Sequence, residues 1–395
     1  MSETFFESRN TRVFILAPVL LLPSIDTVQK YIGNSGVLLF LIAGTIIFAA
    51  AIRFVVPKYF SNLTDRQAIY IFVLILLLLI FAFAFLYPIA NAHTPIAGSD
   101  QDDALDLAAS DLLHGHYPYY QRTYLGNLIA PLPGSVLLAV PFVLLGYSAY
   151  QNLFWFAALF VAARSHLKGA AAALSLIVAT LVFSPSVLQN MMTGIDRLAN
   201  ALYVLIFLQM TVTSISNERS SWAKIFWPLM LGIGLSSRAN FVFIVPLLLA
   251  TVAARIGWKR AAAYASVTVA ASVIVTIPFW LYDPQGFSPL IVQYSKVGDY
   301  VDVMPHSGIL VLIVTIALTI YLTLKRTNGD LNRLFLNCAI VQAFPVICSV
   351  ILLSLHLGKI DLSLAGYGLF SLFFGAMAMW PRESVTNDNV RAIRT

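Results

Sequence analysis

Three aspartates within four residues, Asp100, Asp102 and Asp103, are followed by Asp106 and Asp111 in GSDQDDALDLAASDLLHGHYPYY (Gly98 to Tyr120), in a chain with only 18 acidic residues. Carboxylates packed this closely repel one another and need a positive partner or a proton. They suit a base or a cation ligand. A further acid, Asp196, stands in TGIDRLAN directly before Arg197. Arg238 lies in SSRAN between two apolar runs. An arginine at membrane depth is costly unless paired, so function is its default reading, and its planar guanidinium grips phosphate with paired donors. Lys296 adds a cation to a second polar stretch that also holds Asp299, Asp302 and His306. His114, His116, Tyr117, Tyr119 and Tyr120 crowd the end of the acidic stretch. The tyrosines read as an interfacial belt or as a sugar-stacking surface. The alternating histidines, with Asp102 or Asp103, offer metal-ligand types at an unspecific spacing.

The elements that must position these groups are membrane spans. The 395 residues are 59% hydrophobic and 11% charged, with a mean hydropathy of +0.83, which excludes an ordinary soluble domain. Apolar runs predict an all-α polytopic membrane protein of about twelve spans, near 13–30, 36–56, 68–91, 150–163, 170–189, 199–214, 225–237, 239–254, 261–281, 308–324, 333–355 and 361–380. Backbone groups in lipid pair internally, which makes these runs helices. The first is expected to be a retained span rather than a cleaved signal peptide, because no small-residue cleavage site follows it. Cys338 and Cys348 share one apolar run and read as small core residues. The dispersed basic residues argue against nucleic acid.

With a cytoplasmic N-terminus, eighteen of the 24 Lys and Arg residues fall inside, a strong positive-inside bias. Both termini are then cytoplasmic and the acidic stretch faces outward. This count leaves PLPGSVLLAVPFVLLG (Pro131 to Gly146) out of the spans; with three prolines it reads as a re-entrant or interfacial helix. The outer loop therefore runs over 92–149, long enough to suggest function, and a second outer loop covers 283–307. Within the first, DDALDLAASDLLHG predicts an amphipathic helix suited to the membrane surface, with an apolar stripe of Leu105, Ala108, Ala109 and Leu112 and a stop at Gly115. Asp102 and Asp103 belong to its first turn, where the helix dipole favours ionised carboxylates. Asp106 and Asp111 read as solvated helix positions.

The aspartate after a span, the Ala-rich helix, LLHG, YPYY and the proline-bracketed apolar helix resemble the first extracytoplasmic loop of GT-C-type glycosyltransferases, closest to the bacterial polyprenyl-phosphate-sugar-dependent, mannosyltransferase-like branch. The stretches Ser184 to Phe207 and Leu231 to Ala250 resemble that branch's second outer turn and a later break carrying a basic residue. Much of the branch has lysine in that break; this chain has Arg238. The resemblance divides the chain into a two-helix extension (1–67), a GT-C-like catalytic module (68–255) and C-terminal helices with a cytoplasmic tail (256–395).

The resemblance implies an inverting enzyme of the bacterial inner membrane. It would move a hexose or pentose from a polyprenyl-phosphate donor to a hydroxyl of an envelope glycan or lipid. Such a transfer requires a base for the acceptor's proton and positive charge for the departing phosphate. The base candidates are Asp102 first, then Asp103 and Asp100, which the family's loop acid does not separate by alignment. Asp196 is the second acid, with pairing to Arg197 or helix capping as its plainer role. Arg238, Arg197 and Lys296 are the phosphate ligands, and His114, His116, Tyr117, Tyr119 and Tyr120 the substrate contacts. No cofactor or metal is expected, although the clustered carboxylates leave a divalent ion open. The rival reading is a transporter or lipid flippase, but the acids gather at one face and no inverted repeat is evident.

Overall fold

The computed structural model describes residues 9–92, 99–216, 220–296, 300–325 and 328–381. The chain is an all-helical polytopic membrane protein; among the described residues the sole β-type pairing is a bridge between Arg122 and Leu128. The N-terminal region is α1 (Arg9–Leu21), a 3-10 turn (Leu22–Ser24) and α2 (Ile25–Ala50), continued by a π-helical segment (Ala51–Phe60). Then come α3 (Asp65–Ala90), the loop helices α4 (Gln101–Leu113) and α5 (Pro133–Val143), and α6 (Tyr150–Leu167), α7 (Ala170–Phe183) and α8 (Pro185–Thr193). The central helix α9 (Arg197–Ser216) is followed by α10 (Ala223–Leu235), a 3-10 turn (Ala239–Phe243), α11 (Ile244–Ile256) and α12 (Trp258–Tyr282). The chain continues through α13 (Ser288–Lys296), α14 (Ser307–Leu324), α15 (Leu331–His356), a 3-10 turn (Ala365–Gly368) and α16 (Leu369–Met379).

Helices occupy all twelve stretches anticipated as spans, but they are not equal. Among the described residues, seven are long and apolar enough to cross a membrane, or eight if α7 and α8, bent by 84°, form one span. At about 1.5 Å per residue, the 13 residues of α10 reach only about 20 Å, short of a hydrocarbon core of about 30 Å. The first two anticipated spans form one apolar helical stretch, Phe14–Phe60, turned at Leu22–Ser24 and again at Gly33, whose φ of 80° breaks the helix. The prolines kept Pro131 to Gly146 from forming a long helix: α5 has 11 residues and begins at Pro133, where the missing N–H is harmless.

Burial sorts the bundle. Helix α9 is wrapped on all sides, with Leu198, Leu202, Tyr203, Leu205 and Leu208 fully buried. Helices α3, α12 and α14 turn Leu77, Phe81, Ile274 and Ile313 outward as a lipid-facing surface. The loop has its own small core: Ala104, Leu105, Ala108 and Ala109 of α4 pack with Tyr119, Ile129, Val136 and Phe287. The predicted stripe therefore seals α4 onto α5 and the 283–287 turn instead of lying on lipid. Helix α5 in turn docks on the end of α10 at Gly134. A Cβ there would collide with Ile233 O and Ser236 Oγ, so only glycine permits this approach.

Candidate active site

The five loop aspartates have five different surroundings. Asp100 stands at the N-cap position of α4 without a side-chain capping bond, and its Oδ2 accepts hydrogen bonds from Thr123 Oγ1 and Asn127 Nδ2, both at 2.7 Å. Its Oδ1 carries no hydrogen bond among the described residues. Thr123 and Asn127 lie on a tight turn closed by the Arg122–Leu128 bridge, with Thr123 N donating to Asn127 O and Gly126 N to Thr123 O. Asp103 accepts from Tyr124 N at 2.9 Å, tying the same turn to α4.

Asp102, the leading base candidate, is 1% exposed. Its Oδ2 accepts from the Tyr87 hydroxyl at 3.0 Å, and its Oδ1 is buried without a partner. Burial pushes its carboxyl up to about 7, against the opposing hydrogen bond from Tyr87. Asp106 is raised to about 6, again chiefly by burial, and accepts from Ser148 N at 2.7 Å. Asp111 is buried and accepts both bonds of Gln121 Nε2. The reading of Asp106 and Asp111 as solvated positions is thus corrected: they anchor α4 to the start of α6 and to the following turn.

The tyrosines also hold the loop down. Tyr117 OH donates to Phe279 O at 2.9 Å and Tyr120 OH to Asp283 Oδ2 at 3.0 Å. Tyr119 packs edge-on against Phe287. The aromatic run is a clamp on the end of α12, which neither a sugar platform nor a membrane belt requires. His114 and His116 are exposed, with His114 Nδ1 on Ser110 O and His116 Nδ1 3.7 Å from Asp111. Among the described residues no group of three His, Cys, Asp or Glu side chains converges as metal ligands.

Asp196 and Arg238 form a buried ion pair. The turn after α8 brings them together: Gly194, at φ 74°, ends that helix in the left-handed region, and Asp196 then leads into α9. Arg238 sits in the predicted break after α10, on extended backbone. Its Nη2 lies 2.5 Å from Asp196 Oδ1 and 2.6 Å from Oδ2, while its Nε is buried without a partner. Asn200 Nδ2 donates to Asp196 Oδ2, and Tyr203 and Ser135 both donate to Asn200 Oδ1. The plainer pairing of Asp196 with Arg197 is not what forms. Arg197 is buried on another side, its guanidinium 4.9 Å from the Tyr367 ring. Asp26, in α2, is its electrostatic partner.

Two cavities meet at Arg238. One, of about 440 Å³, is polar: Asp100, Gln101, Arg122, Thr123, Asn127 and Asp196 line it with Arg238. The other, of about 190 Å³, is mainly apolar, walled by Val292, Pro345, Val346, Leu364 and Phe370 with Tyr367, Asn240 and Gln342. Arg238, Ala130 and Val292 belong to both. Of the sequence candidates, the geometry unites Asp100, Asp196 and Arg238. It leaves Asp102, Asp103, Arg197, His114, His116, Tyr117, Tyr119 and Tyr120 off both linings. Lys296 closes α13, and its side chain lies outside the described residues.

Sequence reasoning did not pick out Thr123, Asn127, Asn240, Gln342 or Asp26. Gln342 and Asp26 had a signal, a polar side chain inside an apolar run. Asn240 and Gln342 bond to each other by side chain, and Gln342 Nε2 also donates to Asn240 O at 3.0 Å. Compared with protein-family models, curated proteins and solved structures, the chain matches none.

Proposed function

We propose that the chain is an inverting GT-C-like glycosyltransferase that takes its sugar from a polyprenyl-phosphate donor, at the outer face of a bacterial cytoplasmic membrane. The observation carrying this reading is the position of Arg238, on the wall between a polar and an apolar cavity, with Asp100 in the polar one. An amphiphilic donor has that division: a phosphate for the guanidinium, a chain for the apolar side and a sugar for the polar side. The family resemblance of loop and break points the same way, and the positive-inside bias supports an outward loop with both termini cytoplasmic.

In the proposed reaction Asp100 Oδ1 takes the proton of the acceptor hydroxyl. The acceptor oxygen bonds to the anomeric carbon from the face opposite the phosphate. The bond from that carbon to the phosphate oxygen breaks, and its electron pair leaves with the polyprenyl phosphate. Thr123 and Asn127 fix the carboxylate through Oδ2 and leave Oδ1 for the proton. Arg238 offsets charge on the leaving phosphate, held at one nitrogen by Asp196. The acceptor is a hydroxyl of an envelope glycan or lipid.

Transfer from labelled polyprenyl-phosphate sugars, measured with purified protein in lipid nanodiscs, tests this. Asp100→Asn and Arg238→Gln are each expected to lower transfer by about 10²-fold or more. Undiminished transfer in both variants refutes the site, and lipid translocation without transfer supports the flippase rival.

A further inference from the structure

The polar cavity holds a second arginine that the proposed chemistry does not use. Arg122 lines it beside Asp100, Gln101 and Asn127. Its Nη1 donates to Gly126 O at 2.9 Å, and its backbone pairs with Leu128 at the neck of the turn. The guanidinium is therefore anchored by one nitrogen. Among the described residues it forms no ion pair. Of the neighbouring cations, Arg238 pairs with Asp196 through one nitrogen and is assigned to the donor phosphate, and Arg197 lies off this cavity against Tyr367, with Asp26 nearby. Gln101 lines the same cavity, and its Oε1 is buried without a partner.

Arg122 is exposed, and a guanidinium held at one nitrogen without a counter-ion on the lining of a polar cavity attracts a negative group through its remaining donors. The Gln101 amide on the same lining has an oxygen still to be paired, which favours a hydroxyl-bearing ligand. Together these are the preferences of a sugar carrying an acidic substituent. We propose that Arg122 selects an acceptor glycan bearing an anionic group, a carboxylate or a phosphate, close to the hydroxyl that reacts. The inference rests on the transferase reading, which brings the acceptor hydroxyl to Asp100 in this cavity, next to the donor's sugar. Arg122 touches the acceptor and not the bond that breaks, so it acts on acceptor affinity.

The test is equilibrium binding of glucose, glucuronic acid and glucose 6-phosphate to the full chain in nanodiscs at low salt. Labelled polyprenyl-phosphate mannose is measured in parallel. Wild type is expected to bind at least one of the two acids about tenfold more tightly than glucose, and comparing the two separates carboxylate from phosphate. Arg122→Gln removes the preference, Arg122→Lys restores part of it, and neither changes donor binding. Equal binding of the three sugars, or an acid preference that survives in Arg122→Gln, overturns the inference. So does donor binding that falls with that substitution, since Arg122 would then belong to the donor. Failure of the transferase reading registers separately, as donor binding that does not depend on Arg238.

Discussion

Arg238 grips Asp196 through a single nitrogen, with both carboxylate oxygens within 2.6 Å of Nη2. Asp196 is fully buried and Arg238 nearly so. Removing one partner leaves an uncompensated buried charge, which costs about 3–5 kcal/mol. Asp196→Asn and Arg238→Gln are each expected to lower the thermal unfolding temperature markedly, and the variant carrying both to recover part of the loss. If the double variant is as unstable as the sum of the two single changes, the pair is not coupled.

Asp102 contributes a pH dependence to stability. Its carboxyl is raised from 3.8 to about 7 in the folded protein, so the folded state holds a proton that the unfolded state releases. The stability this provides is present below about pH 4 and is lost as pH rises through about 7. Asp106, raised to about 6, adds in the same direction. Asp102→Asn is expected to flatten the fall between pH 4 and 8 in a thermal-shift series and to keep transfer within about tenfold of wild type. A loss of transfer as deep as that of Asp100→Asn would return the base to Asp102.

The turn holding Asp100 can be mutated while Arg238 and the apolar wall, which are assigned to the donor's phosphate and chain, stay intact. Thr123→Val and Asn127→Ala each remove one hydrogen bond to Oδ2. Each is expected to lower kcat by about tenfold with the donor KM unchanged. A donor KM that rises with kcat constant would place the turn on the donor side.

Gly194 joins the loop to the ion pair. A Cβ there would stand 2.9 Å from the Cβ atoms of Ala149 and Asp102, on backbone with φ 74°. Gly194→Ala is expected to destabilise by about 1–3 kcal/mol and to reduce transfer, because Asp102 lies two residues from Asp100 and Gly194 two from Asp196. Equilibrium unfolding compared with wild type checks the first expectation, and a stability unchanged within error contradicts it.

The apolar cavity has a size test. Val346→Trp fills it from α15. Donor KM should rise for long-chain polyprenyl-phosphate sugars and stay nearly level for a short-chain analogue. Equal effects on both would remove the chain from this cavity.

Much of the frame was legible in the residues. The helix over DDALDLAASDLL was readable from its stripe and its stop, the short α5 from its prolines and the positive-inside count, and the break at Arg238 from an arginine between apolar runs. Which aspartate meets the cavity was not. Asp100, Asp102 and Asp103 point around one helical turn, and the choice depends on where Thr123 and Asn127 land, more than twenty residues later. The tyrosines were similarly ambiguous because their partners, Phe279, Asp283 and Phe287, lie about 160 residues away. Hydropathy marked every apolar run but did not tell a crossing helix from the short α10 or the bent pair α7–α8.

The most direct measurement is a structure of the chain in nanodiscs with bound polyprenyl phosphate. The phosphate is expected within hydrogen-bond reach of the Arg238 guanidinium, the first isoprene units against Val346, Leu364 and Phe370, and the Asp100 carboxylate facing the open side of the phosphate. A phosphate bound away from Arg238, or a chain entering the polar cavity, would contradict this expectation.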